Sequence, residues 1–452
     1  MRHTTHLSPR FRCRLRAIYT HMFWCVPVFL ALLIAGCSRD TPDPAAELHA
    51  ETAQTRAWPA APRIAPGTAV DRIVAAALAH NTPSSAEVGL FRQREAELRG
   101  VRRGRLPQIQ PVATVNTSGD RAGGVDVSYP IADFGQRRAQ INQATVAVEL
   151  AELGIWIDRN TIAQDAIDSL ISALTARALL QETETSLTQV RGLLALATDR
   201  VAAGAGDRSE IVLIELRISE LQNQISSDQA AYNLAISQLG QLLGRAVPAN
   251  AVPSTLDGVA RALSRPANAP PHGPPPVLQA DLERTVAQLR LEQAQAQRFP
   301  RVVVNATALN DSDGFSTQAG LGLDSSNLSV FSARANVEAA MSALSAAEAQ
   351  LIRAQQDHES ELNEIRLQRA RLQSEIGALG ALAAQSEQSV ALFDNQREVG
   401  TRPLTDGITV FRTLLQAQRD LATARAEIVR LDLREIALSG LLATSGVEET
   451  AE

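Results

Sequence analysis

The sequence predicts a mainly α fold with a small β part, built as two halves that each pass from a strand pair into a very long helix and return. Three observations carry this. The first is an internal duplication. Gly204-Ala205-Gly206-Asp207-Arg208-Ser209-Glu210 has a counterpart in Val399-Gly400-Thr401-Arg402-Pro403-Leu404-Thr405-Asp406. One offset of 196 positions sets Gly204 on Gly400, Glu210 on Asp406, Gly244 on Gly440, Ala139 on Ala335 and Ile141 on Val337. A constant offset over that distance marks a duplication almost without gaps, with a period far longer than a solenoid's. The second is helix length. Segments 139–201 and 335–399 would each run roughly 90 Å at 1.5 Å per residue, which suggests a coiled-coil or barrel arrangement. The third is composition. The chain is 45% hydrophobic but only 4% aromatic, which suits long packed helices better than a large globular core.

The N-terminus has the form of an export signal. Arg10, Arg12, Arg14 and Arg16 precede an apolar run, Phe23 to Ile34, too short to span a bilayer as a mature helix. The run ends Leu33-Ile34-Ala35-Gly36-Cys37, which resembles the bacterial lipobox. That resemblance implies removal of a signal peptide, 1–36, and attachment of lipid such as palmitate to Cys37. The alternative is an ordinary secretory signal with an incidental cysteine. Cys13, Cys25 and Cys37 are the only cysteines, so the mature chain would have no disulfide despite entering an oxidising compartment. Ser38 follows Cys37. The absence of Asp there favours the outer over the inner membrane.

Residues 37–68 are Pro- and Ala-rich and are expected to form a lipidated tether. The first repeat is expected over 69–247. It opens with a helix, 70–80, then a Ser/Pro break and a second helix, 86–103, that ends before Leu106-Pro107. Two short strands follow, 108–117 and 125–130, joined by a turn holding Gly119, Gly123 and Gly124. The long helix 139–201 and its return 209–243 complete the half. A Pro-rich linker, 248–276, leads to the second repeat, 277–445, with helix 277–299, strands 301–309 and 318–323, long helix 335–399 and return helix 405–441. Residues 446–452 are a C-terminal tail. The return helices cover only about 50 Å, so each needs a second helix stacked on its end. The expected pairings are 209–243 with 277–299, and 405–441 with 86–103.

The twin motif is expected to be the turn of a helical hairpin. Glycine tolerates the left-handed conformation that ends a helix. Ser209 and Thr405 suit N-cap positions. Glu210 and Asp406 then fall in the first turn, where negative charge complements the helix dipole. Capping alone would account for both carboxylates.

Further residues point to a family. Tyr129-Pro130-Ile131-Ala132-Asp133-Phe134-Gly135-Gln136-Arg137-Arg138-Ala139, the opening helix from Asn81 to Pro107, Leu243-Gly244, and Val399–Arg402 with Asp406 together resemble the TolC-like outer-membrane efflux family over nearly all of the mature chain. The resemblance implies a homotrimer, with a trimeric α-helical barrel in the periplasm and a shared 12-stranded outer-membrane β-barrel. The implied function is an exit duct of a tripartite efflux or type I secretion system. It would be passive and fed by an inner-membrane pump through a periplasmic adaptor. Asp406 aligns with an aspartate at the family's periplasmic constriction, where three-fold symmetry would make a ring of three carboxylates. Arg402 aligns with a basic residue that ties hairpins together in the closed state. Thr409 stands where some members carry a second aspartate. Gly204, Ser209, Glu210, Gly400, Thr401 and Thr405 would form the tip turns that dock the adaptor.

The chain departs from the family in its second half, where Asp324–Asn327 and Phe331-Ser332-Ala333-Arg334 replace the usual turn signatures. Its strands also lack the aromatic girdles of outer-membrane barrels, which suggests a short barrel leaning on the lipid anchor. The alternative function is a periplasmic adaptor lipoprotein, although two tandem hairpins with few strands argue against it. A purely structural coiled-coil lipoprotein is a third reading, opposed by the paired strands and glycine-rich turns. No phosphate-binding loop, His-Glu-x-x-His or Gly-x-Ser-x-Gly is present, and the histidines lack ligand spacing. An enzyme is therefore not expected, nor any cofactor or metal site. A net charge of −6 gives no case for nucleic acid.

Overall fold

The computed structural model describes residues 63–443, apart from 105, 116–120, 205, 248–251, 254, 264–272, 312–313, 325–329 and 399–402. These residues belong to one unit. In chain order the elements are α1 (Ala69–Asn81), a 3-10 turn (Thr82–Ser84), α2 (Ala86–Arg103), β1 (Gln108–Val115), β2 (Arg121–Ala132), α3 (Gln136–Ala202), α4 (Arg208–Leu243), α5 (Leu256–Leu263), α6 (Pro275–Ala296), β3 (Arg301–Asp311), β4 (Gly314–Asp324), α7 (Val330–Glu398) and α8 (Leu404–Leu438). The duplicated plan is therefore present, with α3 and α7 as the long helices.

Helix α3 starts where Gly135, at φ 91°, turns the chain out of β2. A side chain at that φ would be strained, so glycine fixes the strand-to-helix corner. Asp133 accepts the Gly135 N–H at 3.1 Å, and its carboxylate lies 3.7 Å from Arg137. From that corner α3 runs 67 residues, about 100 Å at 1.5 Å per residue.

The shorter helices stack within each half, not between halves as expected. Asn81 Nδ2, at the end of α1 and just before α2, donates to Leu242 O at 2.7 Å at the end of α4. The backbone at Gly244 lies so close to the His80 ring that a Cβ there would fall 2.3 Å from it. Thus α4 abuts the end of α1, at the junction that leads into α2. Likewise a Cβ on Gly440, just past α8, would meet Pro275 at the start of α6 at 2.6 Å. Helix lengths are satisfied by either pairing; the junction contacts decide. Ser85 Oγ donates to Asp158 at 2.7 Å, tying the start of α2 to α3. On the other flank, Gln143 Nε2 donates to Leu289 O at 3.2 Å and Gln293 Oε1 at 2.7 Å, and Asn160 Nδ2 donates to Ala437 O at 2.8 Å. So α3 carries the α2–α4 stack on one flank and α6–α8 on the other, and α7 packs on α6 and α8.

A belt at mid-height holds the largest hydrophobic cluster. Ala163, Ala166, Ile167, Leu170 and Ile171 of α3 meet Ile73 and Ala77 of α1 and Ala426 and Val429 of α8. The Pro-rich stretch contributes more than a linker. Its helix α5 buries Val259, Ala262 and Leu263 in this belt. The packed chain also begins before residue 69, because Ile64 is buried and Ala65 N donates to Ala262 O at 2.9 Å. Trp156 is buried beside the belt, and its indole N–H donates to Ala443 O at 3.0 Å.

The four strands form one antiparallel sheet in the order β1-β2-β3-β4. β2, β3 and β4 outrun their expected bounds, whereas β1 ends at Val115, two residues short; Gly123 and Gly124 lie within β2 and not in the turn. Gly124 is required there: a Cβ would come within 2.0 Å of Ala308 O. The register sorts side chains by face. One face carries the row Ile109, Val127, Ala306, Ala319 and the row Pro111, Val125, Ala308, Thr317. The other carries Gln108, Ser128, Asn305, Gly320 and Gln110, Asp126, Thr307, Gln318. No described helix is long and apolar enough to cross a membrane.

Candidate functional site

The end of the hairpins remote from the sheet holds the residues singled out in the sequence. Helix α3 ends at Ala202, and Gly204 just past its C-cap has a φ of 73° and an N–H that donates to Val201 O at 3.1 Å. The N-cap of α4 is Asp207 and not Ser209. Its carboxylate accepts the Ser209 N–H at 2.9 Å. That backbone bond, with the Ser209 hydroxyl, holds Asp207 below the usual carboxylate range. Asp207 wins the position because its carboxylate reaches the N–H two residues on, a stronger acceptor than a serine hydroxyl would be. Glu210 lies in the first turn as expected. In the second hairpin the N-cap is Pro403 and not Thr405, because α8 already begins at Leu404, one residue ahead of Thr405. Asp406 lies in the first turn of α8, exposed, and its N–H donates to Pro403 O at 3.3 Å. Thr409 is exposed one turn on. Gly400, Thr401, Arg402 and Cys37 lie outside the described residues.

The two hairpins are joined beneath these turns by residues that the motif search did not single out. Leu193 of α3, Ile214 of α4, Phe393 of α7 and Leu404 and Phe411 of α8 form one buried cluster. The Phe393 and Phe411 rings meet edge-on, 6.1 Å between centroids. Gly407, one residue after Asp406, makes the closure possible. A Cβ there would lie 2.6 Å from the Phe393 ring and 3.0 Å from Leu193. The sequence signal was a glycine inside a helix start, a position where it costs helix propensity and needs a packing reason.

About two turns past Phe411 along α8 and about four turns past Ile214 along α4 lies a polar clasp. Arg419 of α8 reaches Asp228 of α4 with two nitrogens, at 2.6 and 3.0 Å, and Thr183 of α3 at 2.7 Å. The Thr183 hydroxyl and Gln224 complete the set around Asp228, at 3.1 and 3.0 Å. The Asp228 side chain is 6% exposed and that of Arg419 18%. Burial pushes the Asp228 carboxyl up, but the bonds from Arg419, Gln224 and Thr183 and the Arg419 charge outweigh it and hold it below the usual range. The clasp binds the α8 hairpin to the α3–α4 hairpin. Nearer the belt, Arg430 pairs with Asp168 at 3.0 Å, while Arg369 and Arg434 tie α7 to α8 through Asp432 at 2.7 Å and Glu361 at 2.6 Å.

A cavity of about 460 Å³ opens between α3, α5, α7 and α8, lined by Arg177, Glu182, Asp257, Glu387, Gln418 and Arg425 among others. Burial, and then repulsion from Glu387, pushes the Glu182 carboxyl up.

Chemically, these features are helix caps, a buried apolar join and ion pairs that hold the two hairpins together. Residues 86–245 match the family described as "Outer membrane efflux protein". No curated protein sequence matches the chain. Among solved structures, the outer-membrane channel OprN is 17% identical, with a TM-score of 0.69 over 82% of this chain and 90% of its own. VceC, an outer membrane protein of Vibrio cholerae, is 16% identical, with a TM-score of 0.69 over 82% and 96%. The CmeC outer membrane channel of Campylobacter jejuni is 11% identical, with a TM-score of 0.69 over 84% and 87%. At such identities the likeness shows the fold. OprN and CmeC are described as outer-membrane channels and VceC as an outer membrane protein. Residues 86–245 thus match the outer membrane efflux family's sequence model, and the chain shares the fold of these solved structures over more than four-fifths of its length.

Proposed function

We propose that this chain is an outer-membrane exit duct that conducts substrates passively from an inner-membrane pump. A two-faced sheet with two open edges, joined to long hairpins, is the observation that carries this reading. Its apolar face is exposed, with Ile109 at 68%, Val115 at 73% and Leu321 at 75%. In lipid, unpaired strand edges are not tolerated, so a membrane sheet must close. Four strands are too few to close alone, and eight is the small end for such barrels. Three copies would give a 12-stranded barrel and continue below as a helical barrel. The strands hold 8 to 12 residues, near the length a tilted strand needs to cross a bilayer.

In this reading the tip turns meet a periplasmic adaptor, with Gly204, Ser209, Glu210, Gly400, Thr401 and Thr405 at the contact. Asp406 rings the periplasmic constriction, Thr409 lines it without adding charge, and Arg402 ties neighbouring hairpins. Cys37 carries lipid that anchors the chain in the outer membrane after loss of residues 1–36. The domain bounds are those given from the sequence, except that Ile64 packs in the belt and the 248–276 stretch that joins the two repeats adds its helix α5 to it.

Single-channel conductance in planar bilayers tests the proposal. Wild type is expected to give cation-selective steps, and Asp406→Ala to lower the cation preference severalfold, since a ring of charge in a narrow pore sets local ion concentration. Steps with unchanged selectivity would reduce Asp406 to a helix-end charge. Folded protein that forms neither pore nor trimer would sink the duct.

A further inference from the structure

We propose a second acidic ring, formed by Asp126 inside the β-barrel, that gives the membrane-spanning part of the duct a cation preference of its own. The proposal rests on the duct reading above.

The argument begins with register. Gln110, Asp126, Thr307 and Gln318 lie directly opposite one another across β1, β2, β3 and β4. They form one polar row that crosses the whole sheet. The rows on either side of it on this face are Gln108, Ser128, Asn305, Gly320 and Val112, Gly124, Leu309, Ser316. Among the described residues, away from the strand ends, Asp126 is therefore the only ionisable side chain on the polar face. The opposite face is apolar and exposed, so it is the one lipid can cover. The face that bears Asp126 then lines the lumen.

Local geometry fixes the carboxylate. The Thr307 hydroxyl donates to Asp126 Oδ2 at 2.6 Å, which pins one oxygen against β3. Neighbours along β2 on the same face are Gly124 and Ser128, small enough to leave the carboxylate facing open space. Asp126 is half-buried in the protomer.

Three-fold closure turns the residue into a ring. Twelve strands about 4.8 Å apart and tilted about 40° give a backbone radius of about 12 Å. Screening acts over about 10 Å at 0.1 M salt. The ring therefore dominates the lumen at low ionic strength and fades above it. That behaviour distinguishes it from a narrow tip, where charges stay closer than a screening length.

Thiol labelling in lipid nanodiscs tests this without requiring an open tip, because the barrel is reached from its outer mouth. Ser128→Cys adds a thiol next to the row, and Val127→Cys adds one on the apolar face. The parent chain, whose cysteines are 13, 25 and 37, gives the background rate. Ser128→Cys is expected to react with small charged methanethiosulfonates, and Val127→Cys to be protected by lipid. The ratio of cationic to anionic reagent rates is expected to fall about threefold at 10 mM salt when Asp126→Asn is added, and hardly to change at 1 M. Asp126→Asn keeps an oxygen for Thr307, and Asp126→Ser serves if that variant fails to assemble. A ratio unmoved by either change overturns the ring but leaves the duct. Labelling of Val127→Cys in place of Ser128→Cys overturns the assignment of faces. Protection of both thiols overturns the duct reading itself.

Discussion

At the scale of single residues, glycines placed where a backbone or ring comes close do more than the charged residues that first attract notice. Gly407 lets the Phe393 ring and Leu193 lie against the start of α8. Gly407→Ala is expected to cost about 1–3 kcal/mol by overpacking and to loosen the join between the hairpins. A lower melting temperature together with more frequent pore opening would be the result. An unchanged melting curve would mean that the ring simply moves aside. The first-turn placement of Glu210 and Asp406 was legible in the sequence because the duplicated motif marks where each return helix begins. The caps were not, since Asp207 and Pro403 took the roles expected of Ser209 and Thr405. One-residue differences at a helix start are set by which side chain reaches a free N–H first, and spacing alone does not contain that.

At the scale of elements, the clasp of Arg419, Asp228 and Thr183 holds α8 to α3 and α4. Asp228→Ala would leave a largely buried guanidinium without its partner, at a cost of about 3–5 kcal/mol. Leucine at both 228 and 419 is expected to recover much of that loss, and thermal unfolding of the single and double variants checks it. Acid should act in the same direction. The Asp228 carboxyl is held below its ordinary value, so its stabilisation is present above the unfolded pKa of about 3.9 and is lost as pH falls through the folded value. Wild type should lose stability in that window more steeply than Asp228→Asn. Equal acid slopes would remove the clasp from the account. None of this was visible in the sequence. The three residues are 45 and 191 positions apart, and only the packing of three helices brings them together.

At the scale of the whole molecule, the protomer leaves apolar side chains uncovered along two helices. Val212, Leu213 and Leu216 of α4 are 50–62% exposed, and Ile352, Leu367 and Leu392 of α7 are 55–73% exposed. Helices of this length bury such residues against neighbours, and a ring of three protomers would set one chain's α4 beside the next chain's α7. Leu367→Glu is therefore expected to weaken the trimer at least tenfold in concentration dependence, since a buried unpaired carboxylate costs well over 1.4 kcal/mol. Analytical ultracentrifugation would show it. A trimer indifferent to the change would place that face in solvent.

What the sequence determined by itself was the plan: two repeats, each with a strand pair, a very long helix and its return. Those follow from local signals that act along the chain, namely alternation, helical composition and glycine turns such as Gly135 and Gly204. The sequence also contained the two faces of the sheet, but only register could reveal them, because Asp126 and Thr307 meet across 181 positions. Tertiary structure alone decided how the short helices stack. Both pairings met the length requirement, and the choice fell to contacts at the ends: Asn81 on Leu242, and Gly440 on Pro275. It alone recruited α5 from a Pro-rich stretch into the mid-height belt. The physical reason is that length and composition are sums over a chain, whereas which ends touch depends on short-range fit, and fit exists only once the chain has folded.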